Sequence, residues 1–226
     1  MTFSVTGRCA RTGQLGVAIT TSSITVGSRC PWVRAGVGAV ATQNVTMPSI
    51  GPQVLDWIAG GDDAQTALDA VMDREEFPEY RQVAVVDHAG NTAIFSGGNS
   101  LGIHAQAVGD GVISAGNLLA NESVPQVVVD WFTAHADLDL PARLLGALNC
   151  GLHDGGGEAG PVRSAALLVA DATPWPLVDL RVDWSEDCPI ADLRALWTAY
   201  QPQMGDYIAR ALNPTQAPSY GVPGDE

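Results

Sequence analysis

The sequence predicts an α+β fold, a four-layer αββα sandwich in which two stacked, mainly antiparallel sheets lie between helical layers. Runs of predicted strands alternate with runs of predicted helices along the chain. A run of small residues, Ala35–Gln43, indicates a central strand that another layer covers closely. Two sheets that cover each other on one face and carry helices on the other satisfy both observations.

The composition indicates one compact domain. The chain has 226 residues, of which 46% are hydrophobic and 16% are charged, which is typical of a protein with a large core. This length suits a single domain, which we expect over residues 1–212. Residues 213–226 are rich in proline and glycine and are expected to form an exposed, poorly ordered tail.

The charge balance excludes some partners. The chain has 25 Asp+Glu and 11 Lys+Arg, so its formal net charge is −14. This charge repels nucleic-acid phosphates and anionic membrane surfaces, and neither is an expected partner. No apolar run is long enough to cross a bilayer, and the first residues lack the basic and apolar regions of a secretory signal. We therefore expect a cytoplasmic protein.

The cysteines and glycine loops predict neither a metal nor a cofactor. Cys9, Cys30, Cys150 and Cys188 are widely spaced, with no C-x-x-C pair and no histidine at a zinc-like interval. Buried free thiols are therefore expected. No glycine loop has the form of a phosphate cradle.

Alternation and apolar runs predict the strands, and turn residues such as His88–Asn91 separate them. The predicted strands are Thr2–Gly7, Leu15–Ile19, Ala35–Gln43, Arg81–Asp87, Thr92–Ser96, Ile103–Val108, Val112–Ala115, Ser164–Val169 and Val178–Asp183.

Apolar residues at helical spacing, preceded by a proline or a polar residue, predict five helices. They are Pro48–Ala59, which Gly60–Gly61 ends, a helix with a capping box of Asp62 and Gln65, a helix capped by Ser123, a helix with Pro141 in its first turn, and a last helix beginning at Pro189.

The first strand carries the main functional hypothesis. Its hydroxyl residues Thr2, Ser4 and Thr6 fall on one face, because strand side chains alternate. Removal of Met1 would leave Thr2 with a hydroxyl and a free α-amine, whose pKa is about 7.7–8.0 in reference peptides. A threonine hydroxyl paired with its own amine is an activated nucleophile. The alternative is that Thr2 is an ordinary strand residue.

Ordered blocks along nearly the whole chain except the tail resemble the DUF1028 family. They are Thr2–Ser4, Arg11–Gly13, Gly16–Ala18, Val26–Gly27, Pro31–Trp32, Gly36–Gln43, Arg81–Val83, Gly116–Leu119, Ser164–Val169 and Asp179–Asp183. The family is similar to the N-terminal nucleophile (Ntn) hydrolases, and most of its members have no established substrate. The resemblance implies an Ntn-hydrolase-like sandwich in which Thr2 is the nucleophile of an amide-bond hydrolase.

Three segments depart from the family pattern. Near Ser22, the family pattern has a lysine. Where this chain has Phe95–Ser100, the family pattern has His-Thr-Gly with a cysteine soon after. Glu158–Pro161 replaces an Asp-Lys-Arg-Gly loop. These departures imply either a different substrate pocket or a loss of activity.

A nucleophilic threonine needs hydrogen-bond donors for the oxyanion of the reaction. The candidates are Asn117, as a catalytic residue, the backbone at Gly97, and Ser22 or Ser23 at the end of the neighbouring strand. Asn117 is equally typical of a turn residue.

Charged residues in or next to predicted strands are the remaining substrate-binding candidates. Arg81 and Arg181 could bind a carboxylate with both guanidinium edges, and Asp183 lies at the end of the same strand as Arg181. The alternative for each arginine is a structural ion pair with Asp87 or Asp183. His104, in a predicted strand, is a further candidate, and its alternative is a satisfied core histidine.

Two functional hypotheses follow. The first is an amidohydrolase that acts on a small linear or cyclic amide through an ester with Thr2. The second is a catalytically inactive sandwich that binds a metabolite or serves in assembly. A homo-oligomer is compatible with either.

Overall fold

The computed structural model describes residues 1–224, and its strands form two sheets. The strands are β1 (Thr2–Arg8), β2 (Leu15–Thr21), β3 (Pro31–Arg34), β4 (Gly38–Asn44), β5 (Arg81–Asp87), β6 (Thr92–Ser96), β7 (Ala105–Gly109), β8 (Val112–Asn117), β9 (Ser164–Ala170) and β10 (Val178–Val182). Within residues 1–224, one sheet has six strands in the order β10-β9-β2-β1-β8-β7, and the other has four in the order β3-β4-β5-β6. Neighbouring strands are antiparallel.

The helices cover the outer faces of the sheets. They are α1 (Ile50–Ala59), α2 (Ala64–Met72), α3 (Val124–Ala134), α4 (Leu140–His153), α5 (Pro189–Tyr200) and α6 (Met204–Leu212). Helices α1 and α2 pack on the four-stranded sheet, and α3, α4 and α5 pack on the six-stranded sheet. The predicted four-layer αββα sandwich is therefore confirmed.

Alternation of side chains along the central strand β1 builds two different interfaces. On the outer face, Phe3 and Val5 are fully buried in the core formed with Phe132 and Leu144 of the helices. On the inner face, β1 presents its hydroxyl residues to the opposite sheet, and Ser4 donates a hydrogen bond to Gln43 Oε1 of β4 at 2.8 Å. The strand therefore carries its polar face into the space between the sheets.

Small residues explain how closely the sheets approach. Ala39 and Ala41 of β4 lie in the apolar core between the sheets, together with Ile19 of β2 and Ile113 of β8. This confirms that the run of small residues contains a central, covered strand. The strand begins at Gly38, because Gly36 has a φ of 67° in the turn before it.

Two predicted helix caps differ from the structure in their hydrogen bonds. Asp63 caps α2 by accepting a hydrogen bond from the Thr66 N–H at 2.8 Å, so the predicted capping box of Asp62 and Gln65 is not used. Ser123 precedes α3 without a side-chain capping hydrogen bond.

Two proline-containing segments differ from the prediction: the strand that begins at Pro31 is absent from the predicted strands, and Gln201–Gln203 interrupts the predicted last helix. Pro31–Trp32 belongs to the edge strand β3, where a missing N–H is tolerated. The predicted last helix is two helices, α5 and α6, separated by the short 3₁₀ segment Gln201–Gln203.

The tail is mostly exposed from residue 213 to residue 224. Arg210 of α6 donates to the carbonyls of Pro218 and Ser219 and stacks on the ring of Tyr220, 3.9 Å from its centroid. The last two residues of the predicted tail, 225 and 226, lie outside the described residues. Within residues 1–224, no helix is long and apolar enough to cross a membrane.

Candidate active site

Thr2 is the first residue of the central strand β1. Its neighbour on β2 carries a hydroxyl group, and its neighbour on β8 carries an amide group. The antiparallel register places Thr21 of β2 opposite Thr2, and Asn117 of β8 opposite it on the other side. All three residues are buried, with 7% of Thr2 exposed and 1% of each neighbour. Thr2, Thr21 and Asn117 therefore form a buried polar cluster at the amino-terminal end of β1, which we call the head of β1.

The hydroxyl of Thr2 is next to the peptide bond that precedes it. Thr2 Oγ1 donates to the Met1 carbonyl oxygen at 2.7 Å and lies 3.1 Å from Thr21 Oγ1. The Thr21 hydroxyl also donates to the Met1 carbonyl oxygen. Two threonine hydroxyls thus hold the carbonyl of the Met1–Thr2 bond.

A chain of buried amides connects this point to the opposite sheet. Gln43 Nε2 donates to Gln82 Oε1 at 2.7 Å, and Asn117 Nδ2 donates to the same oxygen at 3.2 Å. Gln82 Nε2 in turn donates to the Gly116 carbonyl and to Ser96 Oγ, both at 3.2 Å. Gln43 and Gln82 each have at least two side-chain partners, and Asn117 is anchored beside Thr2 by its bond to Gln82.

Asn117 is not a turn residue. It is the last residue of β8, and the chain leaves the strand at Leu118, which has a φ of 51°. Its side chain points to the face that Thr2 occupies, because the two residues are paired in the sheet. One hydrogen of its amide group is used by Gln82, which leaves the other for a further acceptor.

A buried carboxyl group lies on the other side of the amino terminus. Glu158 pairs with Leu119 in an isolated β-bridge and is 6% exposed. Within the described residues, neither of its carboxyl oxygens forms a hydrogen bond. Burial raises its pKa to about 8, although the Met1 amino group and the Ser22 backbone N–H both favour the charged form. Neither group is in hydrogen-bonding geometry with it.

Ser22 and Ser23 lie next to this arrangement. The Ser22 N–H faces the carboxyl group of Glu158, as described above. Ser23 Oγ lies 3.2 Å from Thr21 Oγ1 and accepts a hydrogen bond from Arg29 Nη2 at 2.9 Å. Ser23 therefore lies next to Thr21, and Ser22 lies next to Glu158.

Arg81 is held by a different partner from the ones expected. Its Nε and Nη2 donate to Glu75 Oε1 at 3.0 and 2.9 Å, and its Nη1 donates to the Val45 carbonyl at 2.7 Å. The prediction of Asp87 as its partner is wrong, since Asp87 instead accepts from backbone and side-chain groups of its own turn and from Ala64. The guanidinium of Arg81 thus ties its strand to the neighbouring loops.

Gly97 is required for packing. A Cβ at this position would lie 2.3 Å from the Glu79 backbone oxygen, which cannot move independently of its chain. The Gly97 N–H donates to the Arg81 carbonyl at 2.9 Å. Its backbone donor is therefore occupied within the protein.

His104, Arg181 and Asp183 are exposed. His104 precedes β7, and its Nδ1 lies 3.3 Å from the Gly102 carbonyl, so the expectation of a strand or core histidine is wrong. Arg181 pairs with Asp179 on its own strand at 2.8 Å, and the predicted pairing with Asp183 is also wrong. The carbonyl of Asp183, an exposed residue just beyond β10, accepts from the Thr25 N–H at 2.9 Å.

Sequence reasoning missed Thr21 and Glu158. Thr21 could have been found from the register of the first hairpin, because Gly7 pairs with Gly16 and the residues paired with each other then include Thr2 and Thr21. Glu158 had no such signal, since it lies in a glycine-rich loop where an acidic residue is normally exposed.

Five surface cavities among the described residues do not include Thr2 in their lining. One of about 480 Å³ is lined by residues that include Val33, Ala172 and Trp175. Its lining does not include Thr2. At the start of β1, Met1 packs against Gly160, where a Cβ would lie 3.1 Å from Met1 Cε. Among the residues that the structure describes, no group of three His, Cys, Asp or Glu side chains could hold a metal ion. The four cysteines are free.

The fold and the head of β1 define a class, an αββα sandwich protein with a threonine at the start of a central strand. The chain belongs to DUF1028, a family of unknown function, whose model matches residues 2–193. A crystal structure of a Silicibacter pomeroyi protein that matches the same family model is 31% identical, with a TM-score of 0.83, and the match covers 91% of this chain and 89% of that one.

Two more distant solved structures are also similar. Eukaryotic HslV from Trypanosoma brucei is 11% identical, with a TM-score of 0.44 and coverage of 75% of this chain and 99% of that one. The Anbu (Gly-1) mutant from Hyphomicrobium sp. strain MC1 is 14% identical, with a TM-score of 0.43 and coverage of 90% and 96%. No curated protein matches the chain.

Proposed function

We propose that the protein is an N-terminal-threonine amidohydrolase that acts on a small linear or cyclic amide after cleavage of the Met1–Thr2 bond. One observation carries this proposal: the carbonyl that precedes Thr2 lies in contact with the hydroxyls of Thr2 and Thr21. A substrate carbonyl in the place of the Met1 carbonyl would meet a nucleophile and a hydrogen-bond donor together.

The nucleophile needs a base, and the α-amine released on Thr2 would supply it. The amine takes the proton from Thr2 Oγ1 as that oxygen bonds to the substrate carbonyl carbon. It then gives the proton to the leaving nitrogen as the C–N bond breaks, which leaves an ester on Thr2. Water attacks the ester with the same amine as base and releases the acid. All eleven residues counted as Lys+Arg are arginines, so no lysine amine serves in this role.

The developing oxyanion would be stabilised by Thr21 and Asn117. Thr21 already donates to a carbonyl oxygen at this place, and Asn117 lies opposite Thr2 with an amide hydrogen to spare. Donors that the surrounding structure fixes before the reaction stabilise the transition state without reorganisation. The amide chain from Gln43 through Gln82 keeps Asn117 in place.

The proposal predicts that the first residue decides activity. Intact mass measurement should show the chain without Met1, and that form should hydrolyse members of a panel of amides and lactams. The matched control is the same protein with Met1 retained, in which the α-amine of Thr2 is blocked as a peptide, and it should be inactive. Equal activity of the two forms, or inactivity of both on the whole panel, would favour the catalytically inactive sandwich.

A further inference from the structure

Met1 occupies the head of β1 as an acyl group would. Its carbonyl is held by Thr2 and Thr21, and its side chain packs against Gly160. Its amino group lies near the carboxyl group of Glu158 and favours the ionised form of that group. The carbonyl, the side chain and the nitrogen of one aminoacyl unit thus each lie next to a different part of the protein.

Glu158 is the part of this site that remains unsatisfied. Only 6% of the Glu158 surface is exposed, and neither carboxyl oxygen has a hydrogen-bond partner within residues 1–224. A buried polar group without a partner is costly, and such a group in a native structure calls for a ligand or another explanation. The Met1 nitrogen is tethered to the chain and does not reach hydrogen-bonding geometry with Glu158, whereas a free ligand is not restricted in this way.

We propose that Glu158 binds the free amino group of the substrate, so that the site takes α-aminoacyl amides. This inference rests on the proposed function, since it names the substrate class of the same site. The substrate carbonyl lies against Thr2 and Thr21, and its side chain lies towards Gly160. Its ammonium group favours the ionised form of Glu158, which releases its proton to solvent as the two groups pair. A buried ammonium–carboxylate pair also explains why an acidic residue is present in this glycine-rich loop.

A second role for Glu158 has to be separated from this one. The carboxyl group could instead orient the α-amine of Thr2, in which case it would assist every substrate equally. Recognition of the substrate amine requires that the effect of Glu158 depends on the presence of that amine. The experiment therefore compares ligands that differ only at the nitrogen.

The test measures binding, so that it does not depend on turnover. The protein carries Thr2→Ala and is prepared with residue 2 as its first residue, and calorimetry measures its affinity for L-methioninamide and for N-acetyl-L-methioninamide. The same two probes are measured with Glu158→Gln added. Glu76→Gln, at an exposed position on the other sheet's side of the molecule, is the matched control.

We expect L-methioninamide to bind at least about tenfold more tightly than its acetylated form, because a charge-assisted hydrogen bond is lost on acetylation. Glu158→Gln should remove that preference, and Glu76→Gln should keep it. Equal binding of the two probes, or an unchanged preference in Glu158→Gln, would overturn the inference. Hydrolysis of amides that lack an amino group, together with equal binding, would leave the proposed function in place and refute only the substrate class.

Discussion

Thr21 Oγ1 lies 3.1 Å from Thr2 Oγ1, and both hydroxyls meet the Met1 carbonyl oxygen. The contact is a consequence of sheet register, since β1 and β2 pair from Arg8↔Leu15 to Thr2↔Thr21. A residue at the end of the second strand is thereby brought to the reacting position of the first. This relationship makes Thr21 the most direct partner of the proposed nucleophile.

Thr21→Val should lower kcat for amide hydrolysis by about 100-fold, as expected for the loss of an oxyanion donor. Valine keeps the shape and the strand preference of threonine, so the fold should be retained. The measurement is steady-state hydrolysis by the protein without Met1.

Thr20→Val is the matched control, because it removes the neighbouring hydroxyl, which donates a hydrogen bond to the Ser164 carbonyl at 2.9 Å. It should cost about 1 kcal/mol of unfolding free energy and leave kcat unchanged. Equal kcat values for the two variants would remove Thr21 from the reaction.

Gln82→Leu should lower the free energy of unfolding by about 2 kcal/mol, because Gln43 Nε2 and Asn117 Nδ2 would lose their shared acceptor between the sheets. Urea unfolding measures this change. Gln126→Leu, which removes an exposed hydrogen bond to Asp130 on α3, should change it by no more than about 0.5 kcal/mol. A Gln82→Leu protein as stable as the native one would show that the amide chain is not required.

Gly97→Ala should destabilise the protein by about 2 kcal/mol, because the added methyl group would meet the Glu79 backbone. Gly98→Ala should be nearly neutral, since nothing lies within 4 Å of a Cβ there. Both can be compared by thermal unfolding. Similar melting temperatures for the two variants would contradict the packing role assigned to Gly97.

The stability of the chain that retains Met1 should fall as the pH rises from about 5 to about 8. Burial raises the pKa of Glu158 from 4.5 to about 8, so the folded protein keeps a proton that the unfolded chain releases in this range. Because the folded state binds more protons, each rise in pH favours unfolding. Denaturant unfolding at several pH values measures the slope, which Glu158→Gln should reduce and Glu76→Gln should not. An unchanged slope in Glu158→Gln would contradict a buried, protonated carboxyl group.

The layered fold was predictable because alternation and helical periodicity are local patterns. The inward hydroxyls of β1 and the small residues of β4 carry that information in their own segments. The two differences in element assignment both involve prolines: the edge strand that begins at Pro31 is absent from the predicted strands, and Gln201–Gln203, which contains Pro202, divides the predicted last helix. Whether a proline ends an element depends on what lies beside it, which a single segment does not contain.

The candidate site was predictable only in part, because its contacts join distant segments. The sequence analysis proposes Thr2 and Asn117 for the same site, and the register pairs them directly. Thr21 and Glu158 depend on how β1 aligns with its neighbours and on how the loop after α4 folds back over the amino terminus. The partners of Arg81 and Arg181 were predicted incorrectly for a different reason, since each arginine pairs with an acidic residue close to it in the sequence, Glu75 and Asp179. Long-range pairing, rather than residue type, decides the contacts of Thr21 and Glu158.

The most direct test of the central claim is the rate of amide hydrolysis by proteins that begin at residue 2 with threonine, alanine or serine. The account predicts turnover with Thr2, none with Thr2→Ala, and retained but altered turnover with Thr2→Ser, which keeps a hydroxyl beside the amine. Thr6→Val, on the same face of the same strand, should behave as the native protein. Turnover by Thr2→Ala at the native rate would contradict the claim that the Thr2 hydroxyl is the nucleophile.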